Sequence, residues 1–194
     1  MSQALALRVE ESPWSRGRVG MSCLIFGEST FFCVFVVAYL FYIGKSATGP
    51  QPGDVLEFPW LATACLLSSS LSAGLAVSAL ARSQAARASL LLAITVGLGS
   101  AFIAATAVEW SGLIYGHGLT IGTNLFGTTF YSLVGFHAAH VILGLLMLSL
   151  VLALTVAGKV GAEHAERVEM VTWYWHFVDA VWIVVLTTVY LVGV

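Results

Sequence analysis

Ionisable side chains lie inside runs of apolar residues, at spacings that could serve proton transfer, metal binding or helix packing. His137 and His140 lie near the middle of the stretch FGTTFYSLVGFHAAHVILG. Their spacing of three places both on one face of a helix, about one turn apart. His176 and Asp179 repeat that spacing in WYWHFVDAVW, and Glu28 lies in the apolar run around FGEST. In a bilayer such groups are costly, and they usually face a bundle interior or a functional path.

Three interpretations of these groups compete. A di-iron bundle site would need a glutamate three residues before each histidine, but Val134 and Trp173 occupy those positions. The sequence also has no HExxH motif, so the pattern disfavours a metal site. A proton or ion path stays open, because intramembrane carboxylates relay protons in pumps and transporters. Hydrogen bonds that fix the packing of helices are the simplest interpretation, and we favour it for most of the set.

The composition predicts an integral membrane protein. The 194 residues are 59% hydrophobic and 9% charged, whereas a soluble domain carries roughly a quarter charged residues. The formal net charge of -2 argues against a nucleic-acid partner. Cys23, Cys33 and Cys65 lie in apolar runs without a CxxC pair, which favours inert core residues over a disulfide framework. The segment up to Arg18 lacks the apolar core of a secretory signal peptide.

Five apolar runs are each long enough to cross a bilayer, which takes roughly 20 residues. They predict transmembrane helices at about 19–43, 58–80, 88–113, 126–157 and 170–193. Strands are disfavoured because the runs lack the alternation of a membrane barrel. The sequence therefore predicts an all-α membrane protein in which residues 1–194 form a single membrane domain, a bundle of five helices.

The basic residues predict how this bundle is oriented. Seven of the eight Lys and Arg residues fall on one side of a five-span chain. They are Arg8, Arg16, Arg18, Arg82, Arg87, Lys159 and Arg167, and Lys45 falls on the other side. Because positive charge is retained inside, we expect a cytoplasmic N-terminus and an exterior C-terminus.

Counting residues along the spans places several ionisable groups at similar depths. At about 1.5 Å per residue, Glu28 and Asp179 each lie roughly 14 Å from the cytoplasmic ends of their spans. His140 and His176 then fall into the same layer. We therefore expect Glu28 to be either protonated and hydrogen-bonded, or ionised and paired with a histidine, His140 being the nearest in depth.

Other polar and aromatic residues are expected nearer the membrane surfaces. Glu109 lies near the exterior end of the third span, beside Trp110. Trp173 and Trp175 open the fifth span at its cytoplasmic end. An interfacial aromatic belt is the default interpretation of these tryptophans, and contact with lipid headgroups is the alternative.

Three of these stretches resemble signatures of subunit III of the heme–copper terminal oxidases. They are GFHAAHV from Gly135, YWHFVDAVW from Tyr174 and GMSCLIFGESTFF from Gly20. Glu28 falls on that family's intramembrane glutamate, although Gly27 stands where Ser or Ala is common; Glu109 and Glu169 also match family positions. The similarity covers about residues 18–194, and five spans resemble the short bacterial form.

The resemblance implies an accessory subunit without a redox centre of its own. In the family this subunit holds no heme or copper, which belong to partner subunits, and it packs beside the catalytic subunit I in a complex that includes subunit II. It binds phospholipid in a cleft between its helices, for which the first and second spans are candidates here. It supports proton uptake and lasting turnover. The expected location is the bacterial inner (plasma) membrane.

Two alternatives stay open at this point. A homologous subunit of a quinol oxidase or a nitric oxide reductase would share the motifs, so they do not identify the electron donor. A stand-alone proton or solute transporter is a different class, and the lack of a visible inverted repeat argues against it.

Overall fold

The architecture is a set of long helices joined by short connections. The structure, a computed structural model, describes residues 15–194. In chain order the helices are α1 (Arg16–Tyr42), the one-turn α2 (Pro52–Val55), α3 (Trp60–Ala81), α4 (Ala85–Ser111), α5 (Leu125–Val156) and α6 (Ala165–Leu186). π-helical turns at Gly112–Gly116 and Thr187–Val192 extend α4 and α6, and a 3₁₀ turn at Ala162–His164 precedes α6.

With these extensions, five helices within residues 15–194 are long and apolar enough to cross a membrane. The predicted all-α architecture with five membrane helices is therefore confirmed. The orientation of the termini stays a prediction, as does the grouping of residues 1–194 into one domain. The segment 1–14, which includes Arg8 and most of the segment compared with a signal peptide, lies outside the described residues.

The helix ends agree with the apolar runs to within three residues, with one exception. The fifth membrane helix begins at Ala162, eight residues before the predicted start. Hydropathy marks only the part of a helix that lies in lipid, and the extra turns carry the charged residues Glu163, Glu166, Arg167 and Glu169. The first turns of this helix therefore extend beyond its apolar part.

Asn124 anchors the start of α5 and joins two loops. Its Oδ1 accepts a hydrogen bond from the Gly127 amide at 2.8 Å, which caps the helix. Its Nδ2 donates to the carbonyl oxygens of Thr48 and Pro50, both at 3.0 Å. A Cβ at Gly127 would collide with the Thr120 carbonyl oxygen. The loop between α1 and α2 and the loop before α5 therefore meet at one end of the bundle.

The centre of the bundle is α6, which contacts α1, α3 and α5. Trp175 on α6 is fully buried (0% exposed), and its Nε1 donates to Ser69 Oγ on α3 at 3.0 Å. A Cβ would lie 2.9 Å from this indole ring at Gly99 of α4, and 2.7 Å from it at Gly144 of α5. The two glycines therefore let α4 and α5 approach the large side chain that fills the core.

The burial of Trp175 differs from the membrane-interface position predicted for it. Trp173 and Trp175 are two residues apart, which is about 200° around a helix, so they lie on opposite faces. Trp173 is only partly buried and lies 5.9 Å from the Arg18 guanidinium. Trp173 thus keeps a peripheral position, whereas Trp175 belongs to the core.

Candidate functional site

Polar side chains lie at the middle of four of the five membrane helices. Glu28 on α1, Ser70 on α3, His140 on α5 and His176 on α6, counted from Ala162, are each within about one residue of the midpoint of their helix. Because the rise per residue is constant in an α-helix, equal positions along spans that pack side by side mean similar depths. The lateral packing divides these residues into two separate pairs.

The first pair joins α1 to α5. Nε2 of His140 lies 3.1 Å from Oε2 of Glu28, and Nδ1 of the same ring lies 2.8 Å from the Phe136 carbonyl oxygen. A carbonyl oxygen can only accept, so Nδ1 carries a hydrogen and donates it. The contact of Nε2 with a carboxyl oxygen then needs one further proton. Glu28 supplies it as a neutral acid, or His140 supplies it as a cation; the pair has no net charge in either form.

Aromatic rings pack against the His140 ring but leave the Glu28–His140 pair partly exposed. The His140 ring has Phe136 at 4.5 Å and Phe32 at 5.0 Å between centroids, and Tyr174 of α6 stacks at 6.5 Å. The side chains of His140 and Glu28 nevertheless keep 11% and 26% of their surface exposed. The pair is therefore held in an apolar setting but remains accessible from the side of the bundle.

An apolar groove of about 330 Å³ runs beside this pair, between α1 and α6. Phe32 contributes to the groove wall and also contacts the His140 ring. The other lining residues are mostly small or aliphatic: Ser29, Cys33, Val36, Val37, Phe177, Ala180, Val181 and Val184. The groove thus lies between the first and fifth membrane helices, not between the first and second, which were the candidates for a cleft.

The second pair joins α3 to α6. Ser70 Oγ and His176 Nδ1 are hydrogen-bonded at 2.5 Å, and Asp179 lies one turn further along α6, beside Ser70. Asp179 is only 4% exposed, and neither of its carboxyl oxygens has a hydrogen-bond partner among residues 15–194. His176 is exposed at the bundle surface. Since Tyr174 and His176 differ by about 200° around α6, the two pairs lie on opposite sides of that helix.

His137 does not join either pair, although it shares a helix face with His140. Its ring is fully buried, stacks on Trp182 at 5.2 Å and meets the edge of Phe102 at 5.9 Å. Neither ring nitrogen has a hydrogen-bond partner in the described part of the chain. Its aromatic surroundings indicate that His137 serves as a core residue.

Glu109 lies apart from both pairs, towards the end of its span. Its Oε1 accepts a hydrogen bond from the Tyr190 hydroxyl at 2.8 Å, which joins α4 to the π-helical end of the fifth span. Trp110 follows it and packs edge-on against Tyr131 at 5.2 Å. These contacts fit a role in fixing the helix ends.

An ion pair joins α1 to α6 at the end of the bundle opposite to Glu109. Arg18 Nη2 donates to Glu169 Oε2 at 3.0 Å, and Arg18 Nε lies 3.4 Å from Glu166 Oε1. The start of α1 and the start of α6 are therefore held together. The side chains of this cluster are about one-third to one-half exposed, so it contributes little to stability.

Depth counting anticipated the neighbours Glu28 and His140 but missed the partners of the other groups. Ser70 was not among the residues that the sequence singled out, although the same depth argument applied to hydroxyls would have identified it. Tyr190 could not be found in this way, because its contact depends on how α4 and α6 pack. Within residues 15–194, no three His, Cys, Asp or Glu side chains are grouped as a metal site would require.

Known proteins match the chain over nearly its whole length. The family model described as cytochrome c oxidase subunit III matches residues 14–194. The chain is 34% identical to cytochrome c oxidase subunit 3 of Alkalihalophilus pseudofirmus, over 87% of this chain and 82% of that protein. It is 31% identical to the Bacillus sp. strain PS3 protein of the same name, over 90% and 85%. Its identity to the Scyliorhinus canicula protein of that name is 35%, over 89% and 68%. The chain therefore belongs to the cytochrome c oxidase subunit III family.

Proposed function

We propose that this chain is the non-redox accessory subunit III of a bacterial heme–copper terminal oxidase, which reduces oxygen to water in aerobic respiration. In this proposal it spans the plasma membrane with its N-terminus in the cytoplasm and packs against the catalytic subunit I, with subunit II in the same complex. Heme and copper belong to those partners. The chain binds phospholipid and supports proton uptake and stable turnover.

The single observation that carries the proposal beyond the family match is the Glu28–His140 contact. It holds one proton in the middle of the membrane without net charge, which lowers the cost of keeping two ionisable groups there. A proton relay through His140 would have to pass a proton from Nδ1 to a further acceptor. Nδ1 instead donates its hydrogen to a backbone carbonyl oxygen. The geometry therefore favours a supporting role over an obligatory proton-carrying step.

The apolar groove between α1 and α6 supports the lipid-binding part of the proposal. Its volume of about 330 Å³ suits part of an acyl chain, and its lining is mostly apolar. The outer face of α1 continues this surface with exposed large apolar side chains, namely Phe26, Phe31, Val34, Val37 and Phe41. We place the candidate lipid site there.

The test is purification of the native complex through a tag on this chain, followed by an optical spectrum. We expect heme bands in the complex, whose type identifies the oxidase, and no heme band in the isolated chain. A strain that lacks the chain should assemble an oxidase with a near-normal initial rate of oxygen uptake and a shorter active lifetime. Purification without any heme-bearing partner, together with transport by the isolated chain in vesicles, would contradict the proposal and favour a transporter.

A further inference from the structure

His176 presents an imidazole to the outside of the bundle, beside Ser70 at the midpoint of α3. Its hydrogen bond within the described chain is the Nδ1 contact with Ser70, and Nε2 lies at the bundle surface near Gly74. The hydrocarbon core of a bilayer offers no hydrogen-bonding groups, so an imidazole nitrogen facing it is unfavourable. Exposure of this group at mid-depth therefore needs an explanation outside the isolated chain.

Several exposed hydroxyls on the spans are satisfied within their own helices, whereas Nε2 of His176 has no hydrogen bond among residues 15–194. Thr30, Ser78 and Thr187 are exposed, and each donates to a carbonyl oxygen four residues earlier in its own helix, at 3.1, 3.1 and 2.8 Å. Beneath His176, Asp179 is buried without a hydrogen-bond partner among residues 15–194. Two polar groups at this place are thus incompletely satisfied.

The surface around His176 is shaped for close approach of another helix. Gly74 and Ser70 lie beside it on α3, and Ile183 lies two turns along the same face of α6 and is 50% exposed. Small residues allow helix backbones to approach closely in a membrane, and polar side chains then bond across the contact. We refer to Ser70, Gly74, His176 and Ile183 as the α3–α6 face.

We propose that the α3–α6 face docks a transmembrane helix of the catalytic subunit that offers a hydrogen-bonding side chain to His176 Nε2 at mid-membrane depth. The inference rests on the proposed function, because that function supplies a membrane-embedded partner. A second copy of this chain is the competing occupant. The outer face of α1, by contrast, presents mainly apolar side chains and suits lipid.

The first experiment measures how much of this chain is retained when the complex is purified through a tag on the heme-bearing subunit. We expect His176→Leu to reduce retention about three- to tenfold, in line with the strength of hydrogen bonds between membrane helices. His176→Gln should retain the chain, because its amide can donate or accept. Thr30→Leu is the matched control, since it removes a self-satisfied hydroxyl from α1. Equal losses for His176→Leu and His176→Gln, or no loss for either, would overturn the inference.

The second experiment does not depend on the stability of a His176 variant. A photo-crosslinking residue replaces Ile183 on the docking face, or Val34 on the outer face of α1, in the otherwise unchanged complex. We expect an adduct with the heme-bearing subunit from position 183 and none from position 34. An adduct from position 183 with a second copy of this chain, or with lipid alone, would refute the docking inference. Failure of the unsubstituted chain to purify with any heme-bearing subunit would refute the proposed function itself.

Discussion

Glu28 and His140 share one proton across the interface between α1 and α5. The 3.1 Å contact between Oε2 and Nε2 requires a hydrogen, and the Phe136 carbonyl already engages the hydrogen on Nδ1 at 2.8 Å. The pair is neutral overall in both of its forms. This relationship explains how a carboxyl group persists at the middle of an apolar helix, and it determines what substitutions of Glu28 should do.

Glu28→Gln should leave assembly and the initial rate of oxygen uptake nearly intact. The glutamine amide keeps the shape of the side chain and can donate to His140 Nε2. Glu28→Ala leaves that nitrogen without its partner, so it should loosen the packing of α1 and shorten the active lifetime of the complex. Oxygen uptake, followed from the first turnovers to inactivation, measures both effects. Loss of the initial rate in a fully assembled, heme-loaded Glu28→Gln complex would identify Glu28 as an obligatory proton carrier.

Gly144→Ala should destabilise the chain by about 1–3 kcal/mol, as expected when a packed core is overfilled. The new Cβ would lie 2.7 Å from the Trp175 ring. The ring has no room to move away, because Gly99 of α4 packs against it as well. Gly97→Ala on α4 is the control, since its Cβ would meet nothing within 4 Å. Thermal unfolding in detergent compares the two variants. An unchanged midpoint for Gly144→Ala would show that Trp175 is less constrained than its contacts indicate.

Ser69→Ala should cost about 1–3 kcal/mol of stability, because it leaves the buried Nε1–H of Trp175 without its acceptor. Ser78→Ala on the same helix is the matched control, since its exposed hydroxyl bonds only the Gly74 carbonyl of its own helix. The same unfolding measurement applies. Equal midpoints for the two variants would mean that Trp175 finds another acceptor.

A reporter fused after Val194 should indicate the exterior side of the membrane. The ion pair of Arg18 with Glu169 places the starts of α1 and α6 at the same end of the bundle, and the basic residues concentrate at that end. The positive-inside rule makes this the cytoplasmic end. A cytoplasmic signal from the reporter, with an exterior signal from a matched fusion in the loop after α3, would reverse the assigned orientation.

The sequence by itself determined the membrane class and the number of spanning helices, and it predicted similar depths for Glu28, His140 and His176. Apolar length sets which segments cross a bilayer, and a constant rise per residue converts position in the chain into depth. These quantities are one-dimensional, so they can be counted along the chain. The start of the fifth span escaped this count because its first turns are charged, and hydropathy marks only the apolar part of a helix.

Only the tertiary structure decided which groups of equal depth meet. Contact between helices depends on the rotation of each helix and on its neighbours, and no residue count supplies these. His137 and His140 share a helix face, yet only His140 reaches Glu28, because α6 places Trp182 against His137. Trp173 and Trp175 likewise have similar surroundings in sequence, but helix rotation places one at the periphery and the other between two glycines in the core.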